Sequence, residues 1–264
     1  MSLFKSSPAV ATATAQKPTA KAEKPSFLSF LRKPDETQRY AIASFPVGAE
    51  HVIRLMPVTA EGAPQSMEVD VLTVRHNETE GKILAGDWFV KTVQPWLLKN
   101  CRERFQRFVD GKPTGDVKLR TQKRVLFFAI RTAAATPEKP AHKQLCLCNL
   151  PGTNYPGAKV GDGEDFLSGG AYWEDFDQAI GRRLKIVASG SDAKTRTLKI
   201  TPERNATPLT DDDIAALPVA PDGTPYIPVL KDTLRESSRE EIVQCLRETL
   251  PADVFEKMMR EVQL

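Results

Sequence analysis

Six successive apolar residues, Val125 to Ile130, stand between Arg124 and Arg131. A run that short, and that rich in aromatic and branched side chains, reads as a strand covered on both faces. Successive residues of a strand point to opposite sides, and here neither side is polar. KRVLFFAIR is therefore expected in the middle of a sheet. Phe127 and Phe128 then face opposite ways, so one is expected in the core and the other is left for a ligand.

Around this strand the texture alternates. From Tyr40 onward, RYAIASFPV, HVIRLMPV, MEVDVLTVRH and DWFVKTV are separated by GAE, EGAPQ and NETEG, and read as antiparallel strands joined by turns. In MEVDVLTV, Met67, Val69 and Val71 face one way and Glu68, Asp70 and Leu72 the other. In HVIRLMP, Arg54 projects on the face opposite Ile53 and Leu55. In DWFVK, period two puts one of Trp88 and Phe89 on an exposed face. QLCLCNL reads as a returning strand, with the thiols of Cys146 and Cys148 expected on opposite faces. GRRLKIVASGSDAKTRTLKITP is the clearest hairpin, because Leu184, Ile186 and Ala188 alternate with Arg183, Lys185 and Val187, and Leu198 and Ile200 alternate with Lys199.

Helical patterns are fewer. Pro95 suits a first turn, and Leu97, Leu98, Cys101, Phe105, Phe108 and Val109 fall on one arc of a helix over 96–109, with Trp96 on the polar arc. AYWEDFDQAIG reads as a helix with Trp173 inward. Thr210 is a candidate N-cap before three acids. Ser238 with Glu241 forms a capping box, and Pro251 opens a last amphipathic helix. The expectation is a mainly β barrel or sandwich with peripheral helices, in three parts. Residues 1–37 form a flexible arm poor in large apolar side chains, with PSFLSFL as a short docking segment. Residues 38–205 form the core, and 206–264 an acidic, proline-rich linker and a small C-terminal helical segment.

At 264 residues, 41% apolar and 27% charged, the chain can bury a core. Its four cysteines lack the spacing of a disulfide framework, which points to a reducing compartment. No apolar run reaches the roughly 20 residues that span a bilayer, and the N-terminus lacks a signal-peptide core. The expected location is the cytoplasm, with no membrane partner.

Charge is distributed unevenly. Residues 96–131 hold ten basic and three acidic side chains, the 181–202 hairpin holds six and one, and residues 205–264 hold six and twelve. Concentrated positive charge repels itself and needs an anionic partner or a neutralising segment. Aromatic residues interleave with it, which is the composition of a surface that neutralises phosphates and stacks bases. Asp162, Glu164, Asp165, Glu174, Asp175 and Asp177 make an acidic cluster without a metal-loop motif. They would serve the rival reading of a metal-dependent nuclease. A third reading is an adaptor or structural protein acting through its C-terminal helices. His51, His76 and His142 sit in no nucleophile context, so an enzyme is not expected.

The order HVIRLMP, DWFVK, basic helix and loop, KRVLFFAIR, a PEKP loop, AYWEDFDQAI and GRRLKIVASG resembles the core of the single-stranded DNA-binding proteins of T-even phages and their relatives, over roughly residues 38–201. The resemblance implies an OB-fold-like antiparallel barrel that coats unpaired DNA in replication, recombination and repair, in the host cytoplasm if phage-encoded. It also implies self-assembly along DNA through the N-terminal arm, and contact with replication and recombination proteins through the C-terminal segment. The family's zinc-binding CxxC is lacking, since Cys101 stands alone with His76 upstream, so no metal and no cofactor are expected. Arg124 and Val125 stand where the family has a Tyr-Trp pair. The residues expected at phosphates are Arg54, Lys91, Arg120, Lys123, Arg124, Arg131, Arg183, Lys185 and Lys199. Those expected to stack on bases are Phe89, Trp96, and Phe127 or Phe128.

Overall fold

The structure is a computed structural model that describes residues 28–34, 40–56, 66–110, 112–133, 140–151, 159–160, 164–165, 180–181, 183–190, 197–203 and 207–262. Strands β1 (Ala41–Ile42), β2 (Glu50–Leu55), β3 (Ser66–His76) and β4 (Thr79–Leu84) precede a continuous helical run. That run consists of α1 (Gly86–Trp88), a π-helical stretch Phe89–Val93, and α2 (Gln94–Asn100). Next come β5 (Arg107–Val109), β6 (Lys112–Thr114), β7 (Arg120–Ala133) and β8 (His142–Pro151). They are followed by β9 (Lys159–Val160), β10 (Glu164–Asp165), β11 (Ile180–Gly181), β12 (Arg183–Ser189), β13 (Thr197–Pro202) and β14 (Thr207–Pro208). Helices α3 (Asp211–Ala215), α4 (Arg239–Thr249) and α5 (Ala252–Glu261) close the chain.

Strand β7 is the axis of the main sheet. At 14 residues it is too long for one short neighbour, and it divides one edge between two partners. Arg120 to Phe127 pair with β3, and Ala129 to Arg131 pair with β2. Its other edge runs along β8 from Arg124 to Ala133. The sheet order is β1-β8-β7-β2-β12-β13, with the β3-β4 hairpin branching from β7. The architecture is mainly β with peripheral helices. Among the described residues β1 and β13 are not joined, so these strands form an open, branched sheet rather than a closed barrel.

From Val125 to Ile130 both faces of β7 are covered. Val125, Phe127 and Ala129 join Ile53, Leu55, Leu184, Ile186, Leu198 and Ile200 in one core. Leu126, Phe128 and Ile130 join Phe30, Leu31, Tyr40, Leu145, Leu147, Leu230 and Leu234 in a second. Both phenylalanines are thus interior, which corrects the expectation that one would be left outside. A strand flanked on both edges and roofed on both faces has no solvent side. Cys146 and Cys148 are also corrected. Residues two apart on a strand share a face, and these two thiols stand opposite Ala129 and Phe127 in the ladder with β7.

A third core lies beside the sheet. Leu72 and Val74 of β3, Ile83 of β4, and Phe89, Val93 and Leu97 of the helical run meet Ile242, Leu246, Val254, Phe255 and Met258 of the C-terminal helices. DWFVK was expected as a strand, but Phe89, Val93 and Leu97 recur every four residues, the period of a helix laid on an apolar surface. The helix ends at Asn100 instead of continuing to 109, and Leu98 and Val109 are about half exposed. Thr210 caps α3 and Ser238 forms the expected capping box with Glu241, while Thr210 also closes a capping box with Asp213 that was not expected.

The ends of the described chain are built into the same body. Leu28, Phe30 and Leu31 are buried, Arg32 N–H donates to the Thr233 carbonyl at 2.9 Å, and Arg235 N–H to that of Phe30 at 3.0 Å. Gly81 permits this approach, since a Cβ there would lie 2.4 Å from the Leu28 Cβ. The described residues from Thr207 onward thus supply sides of two cores shared with the rest of the chain. The arm before residue 28 and the Trp173 helix lie outside the described residues.

Candidate nucleic-acid interface

The surplus of cations in 96–131 is met in two ways. Four of them are tied down. Arg104 donates to Asp116 Oδ1 at 3.1 Å and Oδ2 at 2.5 Å, and to both oxygens of Asp253 on α5. These hydrogen bonds hold both carboxyls below the usual range and push the guanidinium up. Lys123 Nζ lies 3.4 Å from Glu68 on β3. Arg124 donates to the Asn149 side chain at 2.8 Å and its carbonyl at 3.0 Å, and Arg131 to the Ser44 carbonyl at 2.8 Å.

The other six, Lys99, Arg102, Arg107, Lys112, Lys118 and Arg120, are exposed. None makes an ion pair among the described residues. They run from the end of α2, through the turn at 102–104 and the β5–β6 hairpin, to the start of β7. Of these, only Arg120 was among the expected contacts. The available signal for the others was the local excess of ten basic over three acidic side chains in 96–131.

Arg54 is the clearest correction. Only 4% exposed, it donates to Thr207 Oγ1 at 3.0 Å and to the Thr207 carbonyl, and lies 3.7 Å from Asp213. A neighbouring chain segment occupies it, so it cannot reach a phosphate. Lys143, not among the expected residues, completes this cluster from β8, 2.7 Å from Asp213 and 3.1 Å from Thr210 Oγ1. Burial pushes the Asp213 carboxyl up, but hydrogen bonds from Lys143 and Thr210 and the charge of Arg54 outweigh it and hold it at about 2.

Base stacking loses three of its four candidates. Phe89 and Phe127 are fully buried and Phe128 is 3% exposed, each in a core. Trp96 is half-buried against the third core, and its indole N–H donates to Glu261 Oε2 at 2.9 Å. Lys91, expected at a phosphate, is 72% exposed and pairs with Asp87 one helical turn away at 2.7 Å.

A second basic surface lies on the β12–β13 hairpin. Arg183 stands opposite Arg54, which stands opposite Ile130, so Arg183 and Lys185 lie on the face of the sheet that carries the second core. Lys199, opposite Val187, shares that face. Lys199 is exposed, while Lys185 pairs with Glu50 at 2.6 Å. These residues reach the sheet through β2, which meets β7 only at Ala129 to Arg131. Arg120 is nine residues further back, about 30 Å of strand. Lys123 and Arg131 share the parity of Phe127 and Arg124 that of Phe128, so the expected contacts on β7 divide between its two faces.

No family model, curated protein or solved structure matches this chain. Among the described residues no group of three or more His, Cys, Asp or Glu side chains is placed to hold a metal ion. Of the acidic cluster, Glu164 and Asp165 form β10, and the other four lie outside the described residues. No described helix is long and apolar enough to cross a membrane.

Proposed function

We propose that this protein binds single-stranded nucleic acid, with unpaired DNA in replication or recombination as its substrate, by neutralising the phosphate backbone. The observation that carries this reading is the set of six exposed cations between Lys99 and Arg120 that no acid of the described chain neutralises. Such a row gains most from a partner that releases counterions along its length, which a nucleic-acid backbone does. The resemblance in the order of sequence segments, from HVIRLMP to GRRLKIVASG, to the T-even phage single-stranded DNA-binding proteins supports the same reading. Stacking in this reading rests on Trp96, adjacent to Lys99 on α2, and backbone contact extends to Lys199 and Arg183 on the second surface. The activity is binding without turnover. The adaptor reading is disfavoured because the apolar faces of α4 and α5 are occupied within the chain itself.

Tryptophan fluorescence titrated with poly-dT, with duplex DNA and an RNA homopolymer in parallel, tests this. Saturable quenching by poly-dT that weakens in Trp96→Phe is expected. Absence of binding to any single strand would remove the proposal. Labelled single strands incubated with Mg²⁺ are expected to stay intact, and cleavage would favour the nuclease.

A further inference from the structure

Strands β5 and β6 form a two-stranded sheet of their own, Arg107 opposite Thr114 and Val109 opposite Lys112. A hairpin this short is marginal in water unless something holds it. Here the hold is at the base. Gln106 N–H donates to the Val117 carbonyl at 3.0 Å, Val117 N–H to that of Arg104 at 2.9 Å, and Val117 is fully buried. Arg104 ties the same base to Asp116 and Asp253. Gly115 has φ +82°, and a Cβ there would lie 2.5 Å from the Arg104 carbonyl oxygen, so only glycine fits. The foot is fixed while the body stands in solvent.

Residues directly opposite one another on paired strands share a face. Arg107, Val109, Lys112 and Thr114 therefore form one exposed face, with two cations flanking a valine that is 54% exposed. Two like charges on one small face repel, and neither meets a carboxylate among the described residues. A ribbon held at its foot, with cations at two diagonal corners of one face and an apolar side chain beside both, suits a groove with phosphate walls. The major groove of B-DNA, about 12 Å wide, admits a two-stranded β-ribbon and presents thymine methyl groups on its floor. A flexible single strand needs no such projection.

We propose that the β5–β6 hairpin enters the major groove of duplex DNA flanking the bound single strand, so that a junction of paired and unpaired DNA is the preferred substrate. This rests on the single-strand reading above and adds the duplex flank to it. The test is equilibrium binding of the full chain to a fluorescent dT oligonucleotide, alone and carrying a duplex flank, with Arg107→Ala/Lys112→Ala and Arg107→Lys/Lys112→Arg variants. The wild type binds the flanked strand about tenfold more tightly than the plain one. The alanine variant loses that preference, the ratio of the two affinities falling to about one even though plain-strand binding also weakens, and the charge-conserving variant retains the preference. Equal wild-type affinity for the two substrates, or a preference that survives in the alanine variant, overturns this inference and leaves the single-strand reading standing. Failure to bind the plain strand overturns that reading, and this one with it.

Discussion

The Asp213 carboxylate lies 3.7 Å from the Arg54 guanidinium, with the two side chains 3% and 4% exposed. Arg54 stands on β2 and Asp213 on α3, 159 residues later, and Lys143 reaches the same carboxylate from β8. Three segments remote in sequence are thereby pinned over one face of the sheet. Buried charge of this kind is tolerated because each group meets opposite charge and hydrogen bonds, and it becomes costly when one member is removed.

Arg54→Met is accordingly expected to destabilise the fold by about 3 kcal/mol, because Asp213 stays buried with Lys143 as its only cation. Urea denaturation measures this. Adding Asp213→Asn recovers part of the loss, since the orphaned charge is then removed. Single-strand affinity of the folded Arg54→Met protein is expected to match the wild type, which separates a clamp from a phosphate contact.

The same carboxylate gives the fold a dependence on acid. Its folded pKa is about 2 against an ordinary 3.8. Its contribution is therefore complete above about pH 4 and disappears as pH falls towards 2, amounting to about 2 kcal/mol. Comparing unfolding free energies of wild type and Asp213→Asn from pH 6 to pH 2 isolates it. The gap between the two curves is expected to close across that window.

Much of the sheet was legible because its signals are local. Val125 to Ile130 demanded a covered strand, and Leu184, Ile186 and Ala188 alternated as a hairpin must. The helix from Gly86 was missed because Trp88-Phe89-Val90 is β-rich in composition, and the surface that favours helix there comes from α4 and α5, about 150 residues away. Arg54 was misread for the same kind of reason. Its flanks imply a strand, but what covers that face, Thr207 and Asp213, is set by tertiary contact. For the candidate site, the sign and concentration of charge could be read from the sequence. Which cations are neutralised, Arg104 by Asp253 or Lys123 by Glu68, depended on pairings no spacing encodes.

Phe127→Ala separates the two roles considered for this ring. As a core residue touching the β2, β8 and β12 layer it leaves a cavity, expected to cost about 3 to 5 kcal/mol in unfolding free energy. Affinity of the protein that remains folded is expected to change little. A stacking residue would give the opposite pattern, with weak binding and intact stability.

Single-strand binding depends most on the unneutralised cations between Lys99 and Arg120, and the salt dependence of its affinity measures them directly. Dissociation constants for a dT oligonucleotide, taken over a range of salt for wild type and for a Lys99, Arg102, Lys118 and Arg120 to alanine variant, give two slopes of log affinity against log salt. Each lost phosphate contact flattens the slope by about 0.7, so the variant is expected to lie about 3 units shallower than the wild type. Slopes that coincide, or a wild-type affinity indifferent to salt, would contradict the account.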